Sequence, residues 1–242
     1  MNYIYTKISK TGLVRSDNED SIGVFKVQDG LLAVVCDGLG GNNAGEVASQ
    51  LAVETVHKNF QDSPEDNYPE KIKSSVIKAN TAIFEKAKSD SDLKGMSTTA
   101  EVLFIKDDKA YIGHVGDSRI YIFTGGKLKQ VTKDHSFVQR LVDEGVLSEK
   151  EAEVHPNKNI ITRALGDSIP VEVDLDAIKI PSQENLFFFM CTDGVSGVID
   201  NSELEGIFRL NDMDYITKRI AELVEQRGAP DNFSFVLIKN DE

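Results

Sequence analysis

Only two cysteines occur in 242 residues, Cys36 and Cys191, both inside apolar strand-like runs, so there is nothing from which to build a disulfide framework. Neither is followed by the arginine of a Cys-x5-Arg phosphatase loop, because position 42 is Asn and position 197 is Gly, and a thiol nucleophile of that kind is excluded. Long apolar runs are missing too. The longest, Leu31 to Cys36 and Leu186 to Cys191, fall far short of a membrane span, and the start, Met1-Asn2-Tyr3-Ile4, has no signal-peptide apolar region, so a cytoplasmic protein without membrane contact is expected. Basic residues are scarce, 27 against 40 acidic ones for a net charge of −13, which argues against a nucleic-acid surface. None of His57, His114, His135 and His155 has zinc-site spacing, and none receives a role. No internal repeat or low-complexity segment is present.

What the chain does contain is a set of aspartates placed where apolar strands give way to turns: Cys36-Asp37-Gly38, Gly116-Asp117-Ser118, Thr192-Asp193-Gly194 and Pro230-Asp231-Asn232. Any one of them taken alone reads as an ordinary turn residue. A carboxylate at such a point costs free energy unless it is solvated, paired or bound to a cation. Several of them, drawn from remote parts of one chain, suit hard divalent ions such as magnesium or manganese, which prefer oxygen ligands. Nucleotide loops do not fit the glycines of Gly38-Leu39-Gly40-Gly41: no Gly-Lys-Ser/Thr follows, and Asn43 stands where the dinucleotide fingerprint needs glycine. Nor is Asp17-Asn18-Glu19-Asp20 an EF-hand loop, since Ile22 occupies the position of its glycine.

Three further motifs stand in order with these: Arg15-Ser16-Asp17-Asn18-Glu19-Asp20, Gly95-Met96-Ser97-Thr98-Thr99-Ala100 and Ile161-Thr162-Arg163-Ala164-Leu165-Gly166. Together the ordered set, running from about Gly12 to Phe235, resembles the metal-dependent serine/threonine phosphatases of the PP2C (PPM) family in their compact bacterial form. Hydrophobic periodicity gives short strands up to Cys36, helices over 44–60 and about 72–84, and meandering strands from 98 to 131. A polar stretch follows over 134–159, with short helices over 136–143 and from Ser148, where Ser148-Glu149-Lys150-Glu151 makes a capping box. Strands over 171–180 and 186–191, helices over 202–208 and 213–226, and a strand over 233–238 complete the chain. This order suits the α+β fold of the family, a four-layer αββα sandwich of two antiparallel β-sheets flanked by helices. One domain over 1–242 is expected, with a flap insertion at about 134–159.

The resemblance implies hydrolysis of phosphoserine and phosphothreonine esters by direct attack of a water bridging two Mn2+ or Mg2+ ions. It implies that Asp37 bridges the ions, Gly38 ligates through its carbonyl, Asp193 and Asp231 hold one ion, Glu19 and Asp20 hold metal-bound waters, and Arg15 binds the phosphate. It matches Asp117 to a ligand of a looser third ion. Gly197 stands where many relatives carry another aspartate, and the third site stays open. Leu39 replaces a histidine that many eukaryotic members carry as the proposed proton donor, and leucine cannot donate a proton. A monomer acting on phosphorylated proteins is implied, among them a eukaryotic-like serine/threonine kinase. The rival readings are a catalytically silent PP2C-like domain that binds a phosphorylated partner, which would tolerate loss of the aspartates, and an acidic calcium buffer, which would need no phosphate arginine.

Overall fold

A computed structural model describes residues 2–27, 30–40, 44–180 and 186–241. Gly41 and Asn43, which figured in the glycine-loop argument, lie outside them. The strands are β1 (Asn2–Lys10), β2 (Ser21–Val27), β3 (Gly30–Cys36), β4 (Gly38–Leu39), β5 (Ser97–Thr98), β6 (Ala100–Lys106), β7 (Lys109–Val115), β8 (Arg119–Thr124), β9 (Lys127–Gln130), β10 (Asp174–Lys179), β11 (Phe187–Cys191) and β12 (Phe233–Asp241). The helices are α1 (Ala44–Asp62), α2 (Tyr68–Ser89), α3 (Phe137–Asp143), α4 (Glu149–Glu153), α5 (Asp193–Ser196), α6 (Asn201–Phe208) and α7 (Met213–Gln226).

One five-stranded sheet has the order β1-β12-β11-β8-β9 and the other β10-β7-β6-β3-β2, with β4 and β5 forming a small ribbon. Each neighbouring pair is antiparallel. The unbroken apolar runs follow from burial on both faces. Along β3, Leu32, Val34 and Cys36 pack against α1 and α2, whereas Leu31, Ala33 and Val35 face the other sheet. Phe187, Phe189 and Cys191 of β11 pack under α6 and α7, whereas Phe188 and Met190 point between the sheets. Helices, sheet, sheet and helices therefore lie in four layers, as the resemblance implied.

Two expectations shift. The helix expected over about 72–84 already starts at Tyr68, with Pro69 in its first turn, where proline loses no hydrogen bond that the helix would use. The strand expected from Val171 starts only at Asp174, which pairs with His114. Two residues beyond His114 the partner turns away at Gly116, φ +119°, leaving residues 171–173 no ladder to join.

Candidate active site

The register of the two sheets brings the acidic turns together. Ser21 pairs with Cys36, Ala100 with Val115, and Cys191 with both Arg119 and Phe235. The chain just beyond β3, β7 and β11, and just before β2 and β12, consequently emerges at one end of the sandwich. Asp37, Asp117, Asp193, Asp20 and Asp231 all sit there.

Each is fixed by polar contacts of its neighbours. The Asp37 N–H donates to Thr99 Oγ1 at 2.8 Å, and its carbonyl accepts from Thr98 Oγ1 and from the Thr99 N–H at 2.8 and 2.9 Å. Thr98 in turn exchanges backbone bonds with Leu165 at 2.8 and 3.0 Å, so the Ser-Thr-Thr and Thr-Arg-Ala-Leu-Gly motifs form one support. Gly38 donates to the Glu19 carbonyl at 3.1 Å, and a Cβ at Gly38 would run into the Glu19 and Gly45 carbonyl oxygens, so no other residue fits this approach. Asn232 staples the remaining loop: its side chain accepts from the Glu19 N–H at 2.9 Å and donates to the Thr11 and Asp17 carbonyls at 2.8 Å each. Thr192 Oγ1 donates to Asp20 Oδ2 at 3.0 Å. Thr98, Thr99, Thr192 and Asn232 carry no task in the sequence pattern alone; their hydroxyls and amide act on groups remote in the chain, and only the tertiary pairing shows which.

The electrostatics are those of crowded carboxylates. Asp37 lines a cleft that water reaches, yet burial together with Asp20, Asp193, Asp117 and Asp231 pushes its pKa well up. Asp193 is raised by burial and by Asp231, and shares a hydrogen bond with Asp37. Burial and Asp193 raise Asp117 to about 8, and burial outweighs the Ser234 and Thr192 hydrogen bonds to bring Asp20 to about 7. One oxygen of each, Asp20 Oδ1 and Asp117 Oδ1, is buried with no hydrogen-bond partner. Arg15 Nη2 donates to Asp231 Oδ2 at 2.8 Å, a half-exposed pair. Glu19 accepts from the Gly45 N–H at 3.2 Å and lies at the rim.

This donor set fits divalent cations. Hard oxygen ligands converge from several strands, two buried carboxylate oxygens lack partners, and the remaining repulsion calls for positive charge. Among the described residues no three acidic, His or Cys side chains grip one ion by themselves. Arg15 engages Asp231 Oδ2, a carboxylate oxygen that an ion would need. The third-ion candidate Asp117 lies in the cluster, while Arg119 turns to Asp134 with contacts of 2.7 to 3.1 Å and does not cap it. Gly197 supplies no further carboxylate. Leu39 is held in the β4–β5 ribbon opposite Ser97.

A cavity of 510 Å³ adjoins the cluster, bounded by Asp117 and Asp193 on one side and by Ser136, Val138 and Gln139 of the 134–159 excursion on the other. The excursion closes on itself where Phe137 N–H donates to the Ile160 carbonyl at 2.8 Å and Thr162 N–H to the His135 carbonyl at 2.7 Å. The predicted capping box is present at its second helix, with Ser148 N–H donating to Glu151 Oε2 at 2.8 Å.

A family model described as protein phosphatase 2C matches residues 12–234. The chain is 34% identical over 233 residues to the serine/threonine protein phosphatase PstP of Mycobacterium tuberculosis, covering 96% of this chain and 44% of that protein. It is 33% identical over 241 residues to the serine/threonine phosphatase stp of Listeria monocytogenes, covering 95% and 93%. The crystal structure of the M. tuberculosis PstP superposes with a TM-score of 0.91 at 33% identity, covering 99% of each chain. The PstP catalytic domain in complex with two manganese ions gives 0.87 at 32% identity, covering 98% of this chain and 97% of that one.

Proposed function

The chain belongs to the protein phosphatase 2C family, and from that premise we propose that it hydrolyses phosphoserine and phosphothreonine esters of proteins in a manganese- or magnesium-dependent reaction. The observation that carries the reading is the convergence of Asp37, Asp193, Asp231 and Asp20 beside Arg15 at one end of the sandwich, with buried carboxylate oxygens that no protein group satisfies. A silent domain would have no need of this set.

In this reading Asp37, Asp193, Asp231 and the Gly38 carbonyl would hold the ions directly, and Asp20 and Glu19 would orient their water shell. When bound, the ions supply an acidified water and neutralise charge on the phosphoryl group. Arg15, always cationic and half-exposed, takes two phosphate oxygens once it leaves Asp231. Leu39 offers no proton, so the leaving alkoxide would take its proton from water or another group. Asp117 and Asp193 would be the ligands of a looser third ion, a site that Gly197 leaves short of a carboxylate. The proposal includes one catalytic domain over 1–242, the 134–159 flap as the part that selects protein substrates, and a cytoplasmic monomer whose substrates include a eukaryotic-like serine/threonine kinase. Among the described residues no helix is long and apolar enough to cross a membrane.

Hydrolysis of p-nitrophenyl phosphate and of a phosphothreonine peptide should require added manganese or magnesium and stop with a chelator. Full turnover after exhaustive metal removal would overturn the reading.

A further inference from the structure

A charged pair stands where the fold calls for apolar side chains. Glu101 and His114 face each other across β6 and β7. By alternation they share the face of Leu103, Ile105, Ala110 and Ile112, the one that packs between the two sheets. Glu101 is fully buried and His114 2% exposed. Burying two charges costs several kcal/mol each, and apolar replacements of such a pair are often neutral or stabilising. The pair is therefore poorly explained as a source of stability.

Its hydrogen bonds point elsewhere. His114 Nδ1 shares a hydrogen bond with the Glu101 carboxyl, and Nε2 donates to the Lys133 carbonyl at 2.8 Å. Where Glu101 is ionised both ring nitrogens donate and the imidazole is a cation; burial raises the Glu101 carboxyl to about 7, so the two groups compete for the proton between them. Lys133 immediately precedes the 134–159 excursion. The His114 ring also lies 4.4 Å from that of His135, at 34°. His135 closes the root of the excursion from the other side: its Nδ1 accepts from the Gly116 N–H at 3.0 Å, its own N–H donates to the Gly116 carbonyl at 2.7 Å, and its Nε2 lies 3.2 Å from Asp174. Gly116 directly precedes Asp117.

We propose that Glu101 and His114 are a positioning pair that sets the root of the 134–159 excursion against the Gly116-Asp117 turn, and so governs how a phosphorylated protein is presented to the site. The assignment rests on the phosphatase reading for its substrate, though not for its geometry. Burial would lower the His114 pKa, but Glu101 and the Lys133 carbonyl outweigh it and raise it to about 9. Burial, then the His114 cation, lowers His135 to about 4, so that His135 stays neutral and Nδ1 stays free to accept from Gly116. Within the excursion Val138 is the one buried apolar side chain among the described residues, and it stays 8% exposed. Its pose therefore depends on these polar bonds at the root.

The test compares the natural protein with Glu101→Gln and with the double variant Glu101→Leu/His114→Leu, whose apolar side chains suit the inter-sheet core. At saturating manganese, the double variant should lose roughly tenfold to a hundredfold in kcat/KM on phosphorylated casein, as small misplacements remote from the chemistry do. Turnover of p-nitrophenyl phosphate should stay near that of the natural protein, and thermal stability should hold or rise. Amide exchange over 134–160 should accelerate. Glu101→Gln should keep casein turnover near that of the natural protein, because its amide donates to Nδ1 while Nε2 keeps its proton for Lys133. Equal losses on both substrates, or unchanged casein rates and unchanged exchange, would overturn the proposal. If the natural protein turned over neither substrate the phosphatase reading would fail, and exchange would still decide for or against the positioning pair.

Discussion

At the scale of single residues, two kinds of side chain meet at the end of the sandwich and behave oppositely. Asp37, Asp193 and Asp231 sit at strand ends, and burial with crowding makes Asp37 and Asp193 resist further negative charge. Cys36 and Cys191 sit one or two positions earlier, fully buried, and burial raises both thiols far from any nucleophilic state. Replacing any of the three aspartates by alanine should cut metal-dependent turnover by more than about a hundredfold, beyond the usual cost of losing an outer-shell partner. Cys36→Ser and Cys191→Ser should keep the chemistry in whatever fraction folds. Steady-state rates of folded variants decide it, and the reverse pattern would demand a thiol mechanism. Arg15 carries a subtler expectation. It competes with a cation for Asp231 Oδ2, so Arg15→Ala should tighten manganese binding in calorimetry while raising KM for phosphoester. Weaker manganese binding would show that the ion pair organises the site instead of blocking it.

Among the elements, the excursion from Asp134 to Asn159 differs from the rest of the chain. Strands β3 and β11 are buried on both faces, whereas α3 and α4 are short, and Val146 and Val154 are 63% and 82% exposed. The excursion is tied down chiefly by polar groups: Arg119 on Asp134, Lys133 on Asp143 at 2.6 Å, and the closure bonds of residues 135–137 with 160–162. Segments anchored this way open at low free-energy cost. Replacing 134–159 by a short glycine-containing linker should depress kcat/KM on phosphoproteins much more than on p-nitrophenyl phosphate. Proportional losses would place the segment in the catalytic framework, and no loss on either substrate would reduce it to a spacer.

For the molecule as a whole, the acidic cluster couples stability to pH. In the chelated protein Asp20 and Asp117 titrate at about 7 and about 8, both above the ordinary carboxyl value of 3.8. A carboxyl whose pKa rises on folding leaves the folded state holding more protons than the unfolded chain, so stability falls as pH climbs through that window. The chelated protein should therefore melt at a lower temperature at pH 8 than at pH 5. Manganese should raise the melting temperature at pH 8, since a ligand that binds only the folded state stabilises it by mass action. Thermal scans at the two pH values, with chelator and with manganese, check both; a chelated protein more stable at pH 8 would mean that the carboxylates are solvated and not crowded.

The sequence by itself determined the secondary structure nearly throughout and the membership of the acidic set. Strand runs buried on both faces are apolar without interruption, and turns at strand ends need glycine, aspartate and asparagine, so both are written in residue type. It also marked the excursion, whose polarity follows from having little core to join. Tertiary structure alone decided what depends on register. Nothing in the chain order says that Ala100 lies beside Val115 or Cys191 beside Phe235, and it is this pairing that gathers the aspartates at one end. The same holds for Glu101 and His114: each reads as a stray polar residue in its own strand, and only the β6–β7 pairing makes them a buried ion pair reaching Lys133. The support of Asp37 by the Thr98 and Thr99 hydroxyls, and of Glu19 by the Asn232 amide, was equally illegible, because each side chain meets a backbone group far away in the chain and a local reading cannot tell which.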